Sequence, residues 1–240
     1  MSRIRVGTWN VHEGVGAPGG IADECVRRVL EERIDLLALQ EVPFPAGSRP
    51  SPLLRGLAER TPLRHLAHHV LSPAWLVEGP AFSGVAVASR FPIGATADAD
   101  LPNPRLERDG LRSFDKGGVT AFVEVAGRTV AMTSLHMLPF HRFGRRAEDR
   151  DFVHIWENLA KQLTPKDDEI PVIAGDFNTP RRDLLVARMH VELASAISEP
   201  THRGMALDDV VHAAAARRVS ARTVATFSDH RLCVVELDLD

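Results

Sequence analysis

Tyrosine is absent from the 240 residues, cysteine occurs twice, and the aromatic residues together make up only 5%. So few aromatics leave little from which to build the stacking platforms that hold single-stranded nucleic acid. Cys25 falls in a helical pattern and Cys233 in a strand pattern, which is no disulfide framework and points to a reducing compartment. No stretch is long and apolar enough to span a bilayer, and Met1-Ser-Arg-Ile-Arg runs straight into a strand without an apolar signal segment. The expectation is a soluble, cytoplasmic protein without stable membrane association. An excess of one charge is also missing: a formal net charge of −3 excludes coating nucleic acid through bulk positive charge but leaves room for a local basic groove. No repeat, low-complexity tract or long linker interrupts the chain, so one domain over residues 1–240 is expected.

What is present is a large apolar complement, 44% of residues, enough for a sizeable core. Ile4–Trp9 reads as a first strand ending at Asn10-Val11-His12, followed by a Gly-rich loop. Ile21, Cys25, Val26, Val29 and Leu30 then recur at helical spacing to about Arg33. Ile34–Leu39 reads as a buried strand ending in Gln40-Glu41, after which Pro43, Pro45, Pro50 and Pro52 break the chain ahead of a short helix, Leu53–Glu59. Strands follow over Leu66–Leu71, Gly84–Ser89 and Ala95–Leu101. Pro102–Gly118 reads as a polar surface loop carrying Arg105, Arg108, Arg112 and Lys116. Val119–Val125 and Thr129–Leu135 form a hairpin about Ala126-Gly127 and deliver His136. Phe152, Ile155, Trp156, Leu159 and Leu163 mark one helix face, with Arg145, Arg146 and Arg150 at or before its start; the Arg-rich segment 142–150 reads as a solvated helix start rather than a binding patch. Val172–Ala174 is a buried strand. Thr179 and Pro180 then read as the N-cap and first position of a helix through Arg181–Met189. Leu207–Val211, Thr223–Phe227 and Leu232–Leu237 complete the strands.

Polar residues gather just past these apolar runs: Asn10 and His12, Glu41, His136, Asp176 and Asn178, Asp208, and Asp229 with His230. Singly, each has a plain reading. Glu41 is then a solvated strand end, Asn10 a turn residue, His12 an exposed loop side chain, His136 a core histidine and Asp208 a charged strand start. Together they form a pattern, because an α/β sheet collects its strand ends along one edge. Asp176 and Asn178, two apart in extended chain, point to the same side and suit a cation and a phosphate. Asp229 beside His230 is an acid–base arrangement.

Thr8-Trp9-Asn10-Val11-His12, Leu39-Gln40-Glu41-Val42, Ser134-Leu135-His136, Gly175-Asp176-Phe177-Asn178, Leu207-Asp208-Asp209-Val210 and Ser228-Asp229-His230 stand in the order found in the endonuclease/exonuclease/phosphatase superfamily. The chain resembles that group from Ile4 to Leu237. The resemblance implies an α/β (α+β) fold, a four-layer sandwich of two mainly antiparallel sheets packed face to face with helices outside. It also implies Mg²⁺ or Mn²⁺ on Glu41, with Asn10 beside it and Asp229 as a second metal-side carboxylate. In the same way His230 resembles the histidine that orients or deprotonates water or binds the phosphate, and Asp208 the aspartate that fixes it. Asp176 would position the water, Asn178 would bind a phosphoryl oxygen, and His136 would assist the leaving group or the transition state. Arg112, Lys116 and His12 are the substrate-binding candidates. The lack of tyrosine departs from the AP endonuclease branch, and Leu207-Asp208-Asp209-Val210 departs from the inositol 5-phosphatase signature. Leu232 replaces a common proline. The expected activity is hydrolysis of a phosphodiester by in-line attack of water, with a nuclease as the first reading. A lipid-headgroup or small-metabolite phosphoesterase is the alternative, and an inactive binding protein a remote one.

Overall fold

The computed structural model describes residues 2–46, 51–74, 76 and 80–240; Pro50, expected to help break the chain, lies outside them. In chain order the elements are β1 (Arg3–Asn10), α1 (Ile21–Glu32), β2 (Leu36–Pro45), α2 (Pro52–Arg60), β3 (His65–Pro73), β4 (Ala81–Ser89) and β5 (Ile93–Asp100). Two short strands follow, β6 (Glu107–Arg108) and β7 (Leu111–Arg112), then β8 (Gly117–Val125), β9 (Arg128–His136), α3 (Val153–Gln162) and β10 (Glu169–Asp176). The single turn α4 (Asp183–Val186), β11 (Leu193–Ser195), β12 (Asp208–Ala213), β13 (Arg217–Val224) and β14 (Leu232–Asp238) complete the chain.

The strands form two six-stranded sheets, ordered β13-β14-β1-β2-β4-β3 and β11-β12-β10-β9-β8-β5. Each is antiparallel except for one parallel pair, β1 with β2 and β9 with β10. Alternation of side chains along each strand explains the layering. Ile4 and Val6, Leu36 and Ala38, Val130 and Met132, Val172 and Ala174, and Val235 and Leu237 are buried together between the sheets. The intervening residues face outward under helices. Leu37, Leu39 and Val234 pack with residues of α1 and α2; Leu135, Ile173 and Val211 pack with α3 and α4. The result is the expected helix–sheet–sheet–helix sandwich.

The same alternation turns the inter-sheet face polar toward one end. Thr8 and Asn10 continue the Ile4–Val6 row, Ser134 and His136 the Val130–Met132 row, and Asp176 the Val172–Ala174 row. The register sets Asp176 opposite both His136 and Asp208 on its two neighbouring strands, and Asn10 opposite Gln40. A buried polar ladder joins the sheets just below. Thr8 Oγ1 donates to Gln40 Oε1 (3.3 Å), Gln40 Nε2 to Ser134 Oγ (3.0 Å), and Ser134 Oγ to the Leu39 carbonyl (2.8 Å). Gly175 sits against β9 so closely that a Cβ would lie 1.9 Å from the Leu135 carbonyl oxygen.

Four expectations need correction. The strand expected over Thr223–Phe227 is instead β13, Arg217–Val224, which overlaps it only at Thr223 and Val224. β2 does not stop at Leu39 but runs through Pro43 and Pro45, paired with β4. Its other edge is paired with β1 only as far as Gln40, so the missing proline N–H groups cost that ladder nothing. The helix expected over Arg181–Met189 is only the turn Asp183–Val186. Thr179 Oγ1 accepts the Arg181 N–H (3.2 Å) in a local turn instead of capping a helix, and Arg182 is drawn into the interior. The polar loop 102–118 contains the β6–β7 hairpin, turned by Asp109 and Gly110 at φ 51° and 77°. β11 was not anticipated.

Candidate active site

Each strand end presents its side chain for a local reason. Between Leu39 and Val42 the β2–β4 register shifts, and Glu41 adopts φ 54°. This bulge re-aims Glu41, which simple alternation would send outward, so that Oε1 lies 3.7 Å from His136 Nε2. Asn178 is also left-handed at φ 52°. Its N–H donates to Asp176 Oδ1 (2.8 Å), and its Nδ2 donates to the Met137 carbonyl (2.8 Å) and to Asp176 Oδ2 (3.2 Å). Asn10 Nδ2 donates to the same Asp176 oxygen (3.2 Å), while Asn10 Oδ1 accepts the His12 N–H (3.0 Å). Ser228 links the last segment to the first, its hydroxyl donating to the Asn10 carbonyl (2.8 Å) and accepting the His230 N–H (3.1 Å).

Asp208, wholly buried, holds His230 Nδ1 at 2.8 Å and leaves Nε2 facing Asp176 Oδ2 at 3.8 Å. Asp208 is itself held by Thr201 Oγ1, which accepts the Leu207 and Asp208 N–H groups (both 3.0 Å). The neighbouring Asp209 points the other way, to Arg182 Nε (3.2 Å) and to the N–H groups of Ile197 (2.8 Å) and Val210 (2.7 Å). The pair therefore divides into one carboxylate at the site and one that ties the fold.

These groups line a cavity of about 460 Å³. His12, Glu41, Lys116, His136, Asp176, Asn178, Asp229 and His230 are in its wall, with Arg112, Arg142 and, not expected at the site, His141, His202 and Arg203. Asp208 stands behind His230, and Arg105 and Arg108 are not among the lining residues. Arg142 belongs to the segment read as a solvated helix start, and the structure corrects that reading for this residue. Its companions Arg145 and Arg146 pair with Asp149 and Glu148 as a solvated face does. His202 and Arg203 lie in a loop without periodicity or motif, so nothing in their spacing marks them.

Burial and charge set the protonation states. Burial pushes Asp176 up to about 7, an effect that His230 opposes. Burial works against a charged His230, but Asp208, Asp176 and Asp229 outweigh it and push the ring up to about 10. Burial, reinforced by Lys116, holds His136 well below the usual imidazole range. Lys116 Nζ lies 3.2 and 3.1 Å from the two ring nitrogens of His136, and burial lowers it despite Glu41 and Asp176. Asp229 Oδ1 is buried without a hydrogen-bond partner among the described residues; His12 Nδ1 stands 3.3 Å away and is 3.8 Å from Glu41 Oε2.

The sequence matches the Endonuclease/Exonuclease/phosphatase family over residues 7–230. The chain belongs to that family. Members of the Endonuclease/Exonuclease/phosphatase family are phosphoester hydrolases, generally dependent on a divalent metal, and the chain is a phosphoric ester hydrolase. No curated protein matches the sequence. Among solved structures, an endonuclease/exonuclease/phosphatase from Beutenbergia cavernae DSM 12333 is similar at 22% identity and a TM-score of 0.76, covering 100% of this chain and 72% of that one. The human Nocturnin catalytic domain with bound sulfate is 22% identical with a TM-score of 0.63, over 99% of this chain and 94% of that one. ANGEL2, a 2',3'-cyclic phosphatase in complex with adenosine-2',3'-vanadate, is 11% identical with a TM-score of 0.67, over 98% and 95%. These likenesses establish the two-sheet fold.

Proposed function

We propose that the chain is a Mg²⁺- or Mn²⁺-dependent phosphodiesterase that cleaves a P–O bond by in-line attack of water, with nucleic acid as its substrate. The observation that carries this reading is the meeting of Glu41, His136, Asp176, Asp229 and His230 in one cavity that also takes Arg112, Arg142 and Arg203 into its wall. The donor set suits a hard cation. Glu41 and Asp229 offer carboxylate oxygens on either side of His12, and Asp229 Oδ1 is a buried acceptor with no hydrogen-bond donor among the described residues. Glu41 and Asp229 would hold the ion. Asn10 would stand beside it, although both ends of its amide are already engaged by His12 and Asp176. When bound, the ion neutralises charge on the phosphoryl group.

The protein's own groups divide the remaining work. Asp176, near 7, is poised to accept the proton of the attacking water. His230, held charged by Asp208, donates from Nε2 to a phosphoryl oxygen rather than acting as the base. Neutral His136 with Lys116 beside it presents further donors where negative charge develops. Arg112 and Arg203, with side chains 78% and 75% exposed, stand at the mouth, where a phosphate next to the scissile one would lie. The nucleotide-like ligand of the ANGEL2 structure is compatible with this reading.

A second reading rests on size. A cavity of about 460 Å³ falls within the range that holds small molecules, which favours a lipid headgroup or a small phosphoester over a long polymer. One experiment separates the two. Protein stripped with EDTA is bound, with Ca²⁺ in place of Mg²⁺, to a short duplex and a single strand over a range of salt. A nucleic-acid substrate gives a log–log slope of about −0.9 per neutralised phosphate on duplex, or about −0.7 on single strand. Arg112→Ala then flattens it by about one contact. A flat slope, with Mn²⁺-restored hydrolysis of small diesters, would transfer the assignment to the second reading. No hydrolysis of either substrate class after metal is restored would remove both.

A further inference from the structure

His202 was invisible in the sequence and has no part in the hydrolysis described above, yet it is built into the wall with care. Its backbone forms an isolated bridge to His230, and the two rings lie 4.3 Å apart at 33°. Its Nδ1 stands 3.6 Å from Asp229 Oδ2. That nitrogen is buried and, among the described residues, makes no hydrogen bond. A buried imidazole nitrogen with no hydrogen-bond partner among the described residues, aimed at a carboxylate, is a ligand position in need of a ligand.

We propose that His202, Asp229 and His230 form a nitrogen-rich site for a borderline transition-metal ion, Zn²⁺, which shares only Asp229 with the oxygen-lined site at Glu41, and that filling it switches hydrolysis off. Ligand atoms of the three residues lie within 4.8 Å of one another. Donors around a tetrahedral Zn²⁺ stand about 3.3 Å apart. His202 Nδ1 and Asp229 Oδ2 are nearly there at 3.6 Å, and the His230 ring has to close on them from within 4.8 Å. Two imidazoles with one carboxylate suit Zn²⁺ and suit Mg²⁺ poorly, since Mg²⁺ prefers oxygen alone. The hydrogen bond from His230 Nδ1 to Asp208 leaves only Nε2 for a metal, the carboxylate–histidine–metal arrangement that fixes a ligating ring. Binding releases the Nε2 proton to solvent. Inhibition follows because the ion takes the nitrogen that would donate to the phosphoryl oxygen and draws Asp229 away from Glu41. That inhibitory part rests on the proposed hydrolysis; the site itself does not.

The test uses the full-length protein stripped with EDTA and then given Co²⁺ as a coloured substitute for Zn²⁺. Wild type is expected to show the strong visible absorption of a four- or five-coordinate site with nitrogen donors, abolished by one equivalent of Zn²⁺. His202→Phe, which keeps the ring against His230 but removes both nitrogens, is expected to lose that absorption and to weaken Zn²⁺ binding at least tenfold by calorimetry. His202→Gln serves as the second variant should the first fold poorly, with the same expectation. In saturating Mg²⁺, Zn²⁺ is expected to inhibit wild type at least tenfold more strongly than either variant, each measured against its own uninhibited rate. Zn²⁺ affinity within threefold of wild type in both variants, or its loss in Glu41→Gln with retention in the His202 variants, would overturn the proposal by placing Zn²⁺ in the oxygen site. If no substrate is hydrolysed, the Co²⁺ spectrum and the calorimetry still decide whether the metal site exists.

Discussion

Replacing Gly175 by alanine adds one methyl group where β10 lies tightly against its neighbour β9, one residue before Asp176. The new Cβ would lie 1.9 Å from the Leu135 oxygen, 2.8 Å from its carbonyl carbon and 2.9 Å from its nitrogen. All three are backbone atoms of β9, so no side-chain rotation relieves the clash, and the parallel β9–β10 pair must separate. Overpacking of this kind costs about 1–3 kcal/mol, and one or two ladder hydrogen bonds at about 1 kcal/mol each go with it. The total is roughly 2–5 kcal/mol, or a fall in Tm of roughly 4–20 °C for a domain of this size. Asp176 is the next residue and stands opposite His136 in the register, so kcat falls as well. Gly94→Ala is the control: its added Cβ meets nothing nearer than the Phe122 oxygen at 3.9 Å. Thermal unfolding in EDTA and steady-state kinetics measure both. A Gly175→Ala protein within 2 °C of the Tm of Gly94→Ala, as a rough margin, and with wild-type kcat would refute the reasoning.

Three further outcomes are expected. Glu41→Gln keeps the side chain's shape and removes its charge, so Mn²⁺ affinity by calorimetry and hydrolysis fall together; unchanged Mn²⁺ binding would count against Glu41 as a ligand. In EDTA the contributions of Asp176 and His230 to stability are lost as pH rises, whereas that of His136, lowered by burial, is gained as pH rises through 6.5. The stabilisation carried by Asp176, pushed up to about 7, is complete below its ordinary 3.8 and fades through 7, while that of His230 is complete below 6.5 and fades through about 10. Asp208→Asn removes much of the His230 part, flattening the upper window in urea titrations and lowering kcat by about 10²–10⁴; an unmoved window would argue against the pair. Burial pushes the thiols of Cys25 and Cys233 up, so a thiol-specific dye should label neither until the protein unfolds, as urea titration of the labelling rate would show.

Much of this was legible because one physical rule connects core to site. Alternation carries the apolar row Ile170, Val172, Ala174 into Asp176, and the row Val130, Met132 into His136. Reading where a strand ends thus locates the chemistry. Glu41 obeyed the motif but not the alternation, since a bulge re-aims it. What was hidden depended on partners distant in sequence. The helix expected after Pro180 shrank because Arg182 is pulled inward to Asp209 and to the Ala206 and Asp208 carbonyls. Pro43 and Pro45 were read as breakers because no local signal shows that one edge of β2 is already free. The β6–β7 hairpin did leave a signal, Asp109-Gly110, between runs too short to register as strands. His202 and Arg203 reach the cavity through an irregular segment, and Arg142 from the single 3-10 turn Phe140–Phe143, none of which carries a motif.

The ladder of Thr8, Gln40 and Ser134 means that the site is shared between two halves that no single sheet could supply. Asn10 and Glu41 belong to one sheet, and His136, Asp176 and Asp208 to the other; the bond from His230 to Asp208 crosses between them. Catalysis is therefore a gauge of how well the sheets are docked. Slippage too small to expose the core would still take the carboxylates out of reach of one another. On slow heating, turnover should disappear before the far-ultraviolet signal of the strands begins to change, and a variant such as Gln40→Leu should widen that gap by removing the rung that sets the sheets' alignment.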